Sequence, residues 1–265
     1  HVISAVRGSR RSVRSILRRI RSSMRYLDYL FADRIVTNFN PRQEPGLFRL
    51  FFSRKKGCII RNAITLNTAD SMAIPGMPVH KNTAFMIWYT GRIIPSKRLD
   101  ILLESFIKLR KEGLDLSLVI CGTGNTKLKD QLMDEVRTNA MEKYVAFTEY
   151  REDWHHLIQA ADLFVLPSTA EGMPNALFEA MLAGIPCIAT DIPVLQDILT
   201  HKTNVWMVHA GSCESLAEGI RELYRSPSLR EQLAHAGQLY ARQFSIDTMT
   251  ESYDVLYRNG VESRP

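Results

Sequence analysis

The chain has 265 residues, of which 45% are hydrophobic and 23% are charged, as is usual for globular proteins large enough to bury a core. It contains no run of about 18 apolar residues, so no transmembrane helix is expected. Its four cysteines form no CxxC pair, which argues against a zinc site or a thioredoxin-type centre. Cys121 and Cys187 lie in apolar runs. We expect both to be buried thiols in a reducing compartment, namely the cytoplasm.

The charge is distributed unevenly along the chain. Residues 1–62 contain 15 Lys and Arg against 3 Asp and Glu, whereas the remainder contains 19 against 25. This asymmetry predicts two units with different partners. The sequence begins with His1 and shows no signal-peptide pattern, and we expect it to be a fragment that lacks an upstream part.

The first predicted element is a helix over residues 10–31, in which apolar side chains recur at steps of three and four residues. Its basic side chains are Arg10, Arg11, Arg14, Arg18, Arg19, Arg21 and Arg25. Two interpretations stay open. The helix either binds an anionic membrane surface, each arginine contributing about 1 kcal/mol, or packs on a core with a solvated basic face. A nucleic-acid partner is not indicated, because no nucleic-acid-binding motif accompanies the charge.

The rest of the chain predicts alternating strands and helices. Residues 33–38 and 54–66 predict two short strands, and residues 67–83 predict a linker because they hold prolines and glycine without a clear period. Six apolar strands follow, at 84–90, 116–121, 144–147, 163–167, 186–190 and 205–208. Helices are predicted at 99–111, 127–138, 213–225, 228–243 and 246–258. Such apolar strands, spaced by helices, predict an α/β fold with a parallel sheet covered on both faces.

Ligands of such a sheet bind beyond the carboxyl ends of its strands. After the first of the six strands, Gly91 allows a sharp turn, and Arg92 and Lys97 have the charges and reach to converge on a diphosphate. A solvated loop is the alternative. After the second strand, Gly122 and Gly124 permit close backbone approach to a ligand, although a plain strand-to-helix turn fits equally well.

The loop after the third strand is a candidate base site. Phe147 and the residues after it offer backbone groups to a base edge, and Arg151 could stack on the ring; an ordinary loop is the alternative.

The segment after the fourth strand, residues 168–179, is the most informative. Pro174 suits the first position of a helix. The amides that would then face a phosphate or sugar hydroxyls are those of Asn175, Ala176 and Leu177. Glu179 lies about one and a half turns into that helix, where a carboxylate can accept two hydrogen bonds from a ribose diol. Glu171 can reach toward the sugar itself. Alternatively, Glu171 is a charge favourable to the helix dipole and Glu179 a solvated residue.

Glu171 and Glu179, with seven residues between them, resemble the E-x7-E motif of retaining glycosyltransferases of family 4, which have the GT-B fold. The run ADLFVLPSTAEGMPNALFEAMLAGIPCIATD resembles the core block of that family, and Gly91-Arg92 with Lys97 resembles its phosphate-binding signature. The resemblance covers about residues 33–258 and is most specific over 84–200. It implies a hexosyl transfer from a UDP- or GDP-sugar, without a metal ion or other cofactor, in surface polysaccharide or lipopolysaccharide assembly.

The resemblance also implies roles for individual residues. Arg92 and Lys97 would hold the donor diphosphate, Glu179 would bind the ribose, and Glu171 would contact the donor sugar and act in catalysis with the two cations. Backbone contacts to the donor sugar would come from Gly172, Met173, Pro174 and Asn175. Glu149 departs from the family, which usually has glycine there. No Asp-x-Asp pair occurs, which disfavours the metal-assisted departure typical of GT-A enzymes.

Enzymes with the GT-B fold have two Rossmann-like domains, and the resemblance divides the chain accordingly. It implies a partial acceptor-side domain at 1–66, the linker at 67–83, a donor-binding domain at 84–245 and a C-terminal segment at 246–265 that crosses back to the first domain. The glycine-rich loop and catalytic histidine of the family's acceptor domain have no match here. The chain is therefore expected to be the enzyme or a non-catalytic nucleotide-sugar-binding subunit. A Rossmann oxidoreductase is disfavoured, because no GxGxxG follows the first strand.

Overall fold

The structure, a computed structural model, describes residues 34–40, 57–66, 85–150 and 154–262. The helix predicted at 10–31, the linker at 67–83 and Arg151 lie outside the described residues. The described parts of 1–61 and 252–265 belong to one compact unit, and residues 62–251 belong to a second. The division into acceptor-side and donor-side domains stays a prediction.

Two short parallel strands, β1 (Ile35–Thr37) and β2 (Gly57–Ile59), form a ladder in the first unit. Ile60 extends the ladder by one bond, since its N–H donates to the Thr37 carbonyl at 2.8 Å. The second strand is shorter than the predicted 54–66. Beyond Ile60 the chain has other partners, because the N–H of Ile64 donates to the Phe244 carbonyl at 2.7 Å.

A six-stranded sheet forms the centre of the second unit, and every neighbouring pair in it is parallel. Its strands are β3 (Phe85–Thr90), β4 (Leu116–Cys121), β5 (Val145–Thr148), β6 (Leu163–Leu166), β7 (Cys187–Thr190) and β8 (Trp206–Val208). Their order across the sheet is β5-β4-β3-β6-β7-β8. All six predicted strands are confirmed, with bounds that differ by about one residue, and the predicted α/β fold class is confirmed with them.

Helices cover both faces of this sheet. They are α1 (Leu99–Lys111), α2 (Thr126–Thr138), α3 (Trp154–Leu157), α4 (Asn175–Leu182), α5 (Pro193–Gln196), α6 (Cys213–Arg225) and α7 (Pro227–Ala241). The last described helix is α8 (Ile246–Glu262). Strand β3 shows the division: Phe85, Ile87 and Tyr89 join the core beneath α1, α2 and α6, whereas Met86 and Trp88 join the core beneath α3, α4 and α5. This period of two, with both sets buried, explains why the strands are apolar throughout.

Several helices begin at a capping side chain or at a proline in the first turn. The side chain of Asn125 accepts the N–H of Leu128 at 3.1 Å and caps α2, and Ser212 caps α6 by accepting the N–H of Ser215 at 3.1 Å. Pro227 occupies the first turn of α7. In the parts of the chain that the structure describes, no helix has both the length and the apolar character that a membrane crossing needs.

The strand order fixes where a ligand can bind. After β3 the chain turns to β4 on one side, whereas after β6 it turns to β7 on the other. Strands β3 and β6 are neighbours, and the connections that follow them lead to opposite sides of the sheet. The loops after these two strands therefore border the crevice at the carboxyl edge where such sheets bind ligands.

Candidate functional site

The loops after β3 and β6 contact each other directly. A 3-10 turn at Pro95–Lys97 follows β3, and the Ser96 carbonyl in it accepts the N–H of Thr169 from the β6 loop at 2.9 Å. One residue further, Nζ of Lys97 lies 2.5 Å from Oε1 of Glu171. The structure thus brings together two predicted site residues that stand 74 positions apart in the sequence.

The Lys97–Glu171 pair is well buried, with 13% and 8% of the two side chains exposed. Charges in such surroundings are weakly screened, so their interaction with each other and with an incoming charged ligand is strong. The lysine is neutralised by the glutamate here. A diphosphate that binds Lys97 would therefore compete with Glu171 and release its carboxylate.

Tyr89, at the end of β3, supports the same loop and was missed by sequence reasoning. Its hydroxyl donates to the Arg92 carbonyl at 3.0 Å. Burial raises the pKa of Tyr89, as does the negative charge of Glu171, whereas the charge of Arg92 lowers that pKa. The phenol therefore stays a neutral donor. The side chain of Arg92 is exposed and near enough to act on this hydroxyl electrostatically.

The glycines after β3 and β4 serve the packing of two loops. A Cβ on Gly122 would lie 1.9 Å from the carbonyl oxygen of Gly91, and one on Gly124 would lie 2.3 Å from that of Ile93. The N–H of Gly91 donates to the Cys121 carbonyl at 3.0 Å. Sequence reasoning left Gly122 open between close approach to a ligand and a plain strand-to-helix turn. The structure shows that the neighbouring backbone approaches closely, and a contact with a ligand stays a prediction.

The predicted helix of the Glu pair begins one residue later than expected. Pro174 is the residue before α4, and its carbonyl accepts the N–H of Leu177 at 3.0 Å. The prediction of a free amide at Leu177 is therefore wrong, and its side chain is fully buried in the core. The N–H groups of Asn175 and Ala176 precede the first intrahelical bond and remain candidates for a ligand.

Asn62 holds the segment before α4 and was also missed. Its N–H donates to Sδ of Met173 at 3.2 Å, and its Nδ2 donates to Oδ1 of Asn175 at 2.9 Å. Met173 and Pro174 are buried, whereas Gly172 is partly exposed. No signal in the sequence links Asn62 to a motif 111 residues away.

Glu179 faces a histidine. Its Oε2 lies 3.3 Å from Nε2 of His155 on α3, and the two side chains are 19% and 11% exposed. The distance is that of an ion pair, but the angles are not those of a hydrogen bond, since neither ring nitrogen of His155 has a hydrogen-bond partner among the described residues. Sequence reasoning passed over His155, because a lone Trp-His-His run carries no motif.

Comparison with known proteins bears on this arrangement. A family model described as "Glycosyl transferases group 1" matches residues 74–240, which is more than half of the chain. The chain belongs to this family. The predicted resemblance to glycosyltransferases is confirmed, while the subdivision into family 4 stays a prediction.

Two curated relatives of this group 1 glycosyltransferase illustrate the similarity. The lipopolysaccharide core biosynthesis glycosyltransferase LpsD of Rhizobium meliloti is 31% identical over 183 residues, which cover 68% of this chain and 51% of LpsD. The capsular polysaccharide biosynthesis glycosyltransferase CapM of Staphylococcus aureus is 26% identical over 66% of this chain and 46% of CapM. The chain spans about half the length of these relatives.

A solved structure shows the fold. The structure of HepE from Anabaena, crystallised with UDP and glucose, matches 88% of this chain over 65% of the HepE chain, with a TM-score of 0.76 and 20% identity. The expected GT-B fold class is confirmed by such neighbours.

The remaining predicted residues of this chain that the structure describes lie near β5. Phe147, at the end of that strand, is partly buried against the core that contains α1 and α2. Glu149, which stands where the family usually has glycine, is exposed and pairs through Oε1 with Nζ of Lys129 at 2.8 Å. Within the described ranges, no group of three His, Cys, Asp or Glu side chains could hold a metal ion.

Proposed function

We propose that this chain binds a nucleoside-diphosphate hexose at the carboxyl edge of β3 and β6. It would transfer the hexose, with retention of configuration, to a carbohydrate or lipid-linked acceptor. The observation that carries the proposal is the buried Lys97–Glu171 pair at 2.5 Å between the two central loops. A buried cation there suits a diphosphate, and its carboxylate partner is positioned to contact the attached sugar.

The cations and the helix would stabilise the leaving group. As the bond to the anomeric carbon breaks, negative charge grows on the diphosphate, and groups fixed in advance around that charge lower the barrier. Arg92 and Lys97 would supply the positive charge, and the free N–H groups at the start of α4 would donate hydrogen bonds. Glu171, released from Lys97, would contact the sugar. The acceptor hydroxyl would attack from the side of the leaving group and pass its proton to an oxygen of the departing diphosphate.

The nucleoside would be bound by separate elements. Glu179 would accept hydrogen bonds from the ribose diol, and Phe147 with Arg151 would contact the base. A UDP- or GDP-sugar is the proposed donor, and the transfer would need no metal ion. Transfer that disappears in excess chelator and returns with Mn²⁺ would contradict the last point.

The test of the donor site is a calorimetric titration of the chain with UDP, GDP and ADP, each repeated on Glu179→Ala. Saturable binding of one nucleotide, weakened in the variant by roughly tenfold or more because two charged hydrogen bonds are lost, supports the site and names the base. Failure of all three nucleotides to bind would overturn it.

A second candidate function is that of a nucleotide-sugar-binding subunit whose acceptor domain comes from a partner. The observation that favours it is the match to only about half of each curated relative. The two functions separate when donor binding and sugar transfer are measured on the same chain. Binding without transfer, restored on addition of an acceptor domain, would select the second.

The acceptor is proposed from the relatives and from charge. LpsD and CapM are named for lipopolysaccharide core and capsular polysaccharide biosynthesis, so a surface glycan is the proposed product. A cytoplasmic enzyme whose basic segment at 10–31 binds an anionic membrane would reach a lipid-linked acceptor. Co-sedimentation with anionic liposomes that is unchanged by Arg→Glu substitutions in that segment would contradict the membrane contact.

A further inference from the structure

The ring of His155 is buried without the hydrogen bonds that a buried imidazole needs. Both nitrogens are shielded from solvent, and neither has a hydrogen-bond partner among the described residues. Buried polar groups are almost always paired, because leaving one unpaired costs free energy. An orphaned ring beside a proposed ligand site therefore calls for a functional explanation.

Packing fixes where this ring points. Trp154 and Leu157, on the same short helix α3, are buried in the core that also contains Phe178 of α4. The His155 ring itself lies against the Trp154 ring, with centroids 4.6 Å apart. The imidazole is thus held between the core and α4, where Oε2 of Glu179 lies 3.3 Å from its Nε2.

The chemistry of the two groups is complementary. A neutral imidazole donates from one nitrogen, and a carboxylate has about four lone-pair directions. Two of these suffice for the hydroxyls of a ribose, and the remaining ones are free for His155. A small rotation would turn the 3.3 Å contact into a charge-assisted hydrogen bond, and such bonds are strong and orient both partners.

We infer that His155 is a positioning residue for Glu179. It donates from Nε2 to Oε2 and holds the carboxylate in the orientation that binds both ribose hydroxyls of the donor nucleotide. The inference rests on the proposed function, because it assigns the ribose to Glu179. Its role is selectivity for ribonucleotides, and it takes no part in the sugar transfer itself.

The test compares the affinities of UDP and 2′-deoxy-UDP by calorimetry, and repeats the comparison with the GDP and ADP pairs. The variants are His155→Phe, which keeps a ring and removes the donor, and His155→Gln, whose amide can replace Nε2. His156→Phe is the matched control, because His156 also has an Nε2 that is buried without a partner among the described residues. Glu179→Ala reports complete loss of the ribose contact, and melting curves check folding.

We expect the wild type to prefer the ribonucleotide by roughly 10- to 100-fold, the range of a hydrogen bond to a charged group. His155→Phe should reduce the preference to within about threefold, His155→Gln should restore most of it, and His156→Phe should leave it unchanged, with melting curves like that of the wild type.

The possible failures are distinguishable. A wild-type chain that binds none of the ribonucleotides would overturn the proposed donor site, and the inference with it. A wild type that prefers the ribonucleotide, with a preference lost in Glu179→Ala but kept in His155→Phe, would overturn the role of His155 alone. Equal losses in His155→Phe and His156→Phe would reduce that role to general packing and overturn it as well.

Discussion

The loop after β3 meets a neighbour on each side, and the two contacts are built differently. Toward β4 the contact is backbone against backbone: Gly91 bonds to Cys121, Ile93 bonds to Thr123, and Gly122 leaves no room for a side chain. Toward β6 the contact is one backbone bond from Thr169 to Ser96, a second bond from the Thr169 hydroxyl to the same carbonyl at 3.3 Å, and the Lys97–Glu171 pair.

The difference shows which side can open. Backbone ladders between close-packed loops separate only with the fold, whereas an ion pair can exchange one partner for a ligand of the same charge. Under the proposed function, a diphosphate would therefore enter on the β6 side, while the β4 side would stay fixed. Gly122 and Gly124, the pair that most resembles a ligand-binding loop, lie on the β4 side.

The largest expected effect comes from breaking the Lys97–Glu171 ion pair on the β6 side. Lys97→Ala leaves Glu171 buried without its cation, so the free energy of unfolding should fall by about 3 kcal/mol. The double variant Lys97→Met, Glu171→Leu removes both charges and should stay within about 1 kcal/mol of the wild type. Urea denaturation measures both.

The same two variants separate stability from binding. The double variant should be stable yet bind nucleoside diphosphate weakly, because the cation is absent. If Lys97→Ala were as stable as the double variant, the Lys97–Glu171 ion pair would not be formed in solution.

An intermediate effect is expected on the β4 side. Gly122→Ala places a methyl group 1.9 Å from the Gly91 oxygen, and overpacking of this kind costs about 1–3 kcal/mol of unfolding free energy. Gly113→Ala is the control, because Gly113 also has a positive φ but nothing within 4 Å of its would-be Cβ. Thermal unfolding should show the larger loss for Gly122→Ala; equal losses would mean that backbone strain alone explains both.

The smallest effect concerns a third contact on the same edge, between the ends of β7 and β8. Nδ1 of His209 lies 2.7 Å from Oδ2 of Asp191, and the N–H of Ala210 donates to Oδ1 at 3.0 Å. Burial raises the pKa of Asp191, but these bonds outweigh it and lower the pKa below its ordinary value. The ionised carboxylate therefore stabilises the fold above the unfolded-state pKa of about 3.9, and that stability is lost as the pH falls through the lower folded-state pKa.

Asp191→Asn tests this contact. At pH 7 the variant should be less stable than the wild type by no more than about 1 kcal/mol, because the His209 side chain of the pair is largely exposed. The difference in unfolding free energy should shrink as the pH falls below about 3.9. A difference that is constant with pH would mean that the charge of Asp191 contributes nothing.

The sheet and most helix ends could be predicted because their signals are local. Strands that are apolar on both faces indicate a parallel sheet covered by helices. Asn125, Ser212 and Pro227 indicate the starts of helices to within a few residues. The resemblance of the Glu pair supplied the candidate site residues, whose roles stay a prediction. Cys121 and Cys187 are buried as predicted.

The unpredicted features depend on which strands are neighbours. Lys97 could be assigned to a phosphate, but its pairing with Glu171 follows from β3 lying beside β6, which no local pattern states. The role of Gly122 stayed open between a ligand contact and a turn, because a GxG pair does not reveal whether a ligand or another loop comes close. His155 lies on a four-residue helix, too short to show a period.

Among the described strands, β5 is at the outer edge of the sheet, with β4 as its one neighbour. The segment that follows β5 is separated from the loop after β3 by β4, and from the loop after β6 by β4 and β3. Under the proposed function, exchange of that segment between homologous genes would be a short evolutionary route to a new nucleobase preference, one that keeps an inherited leaving-group site intact.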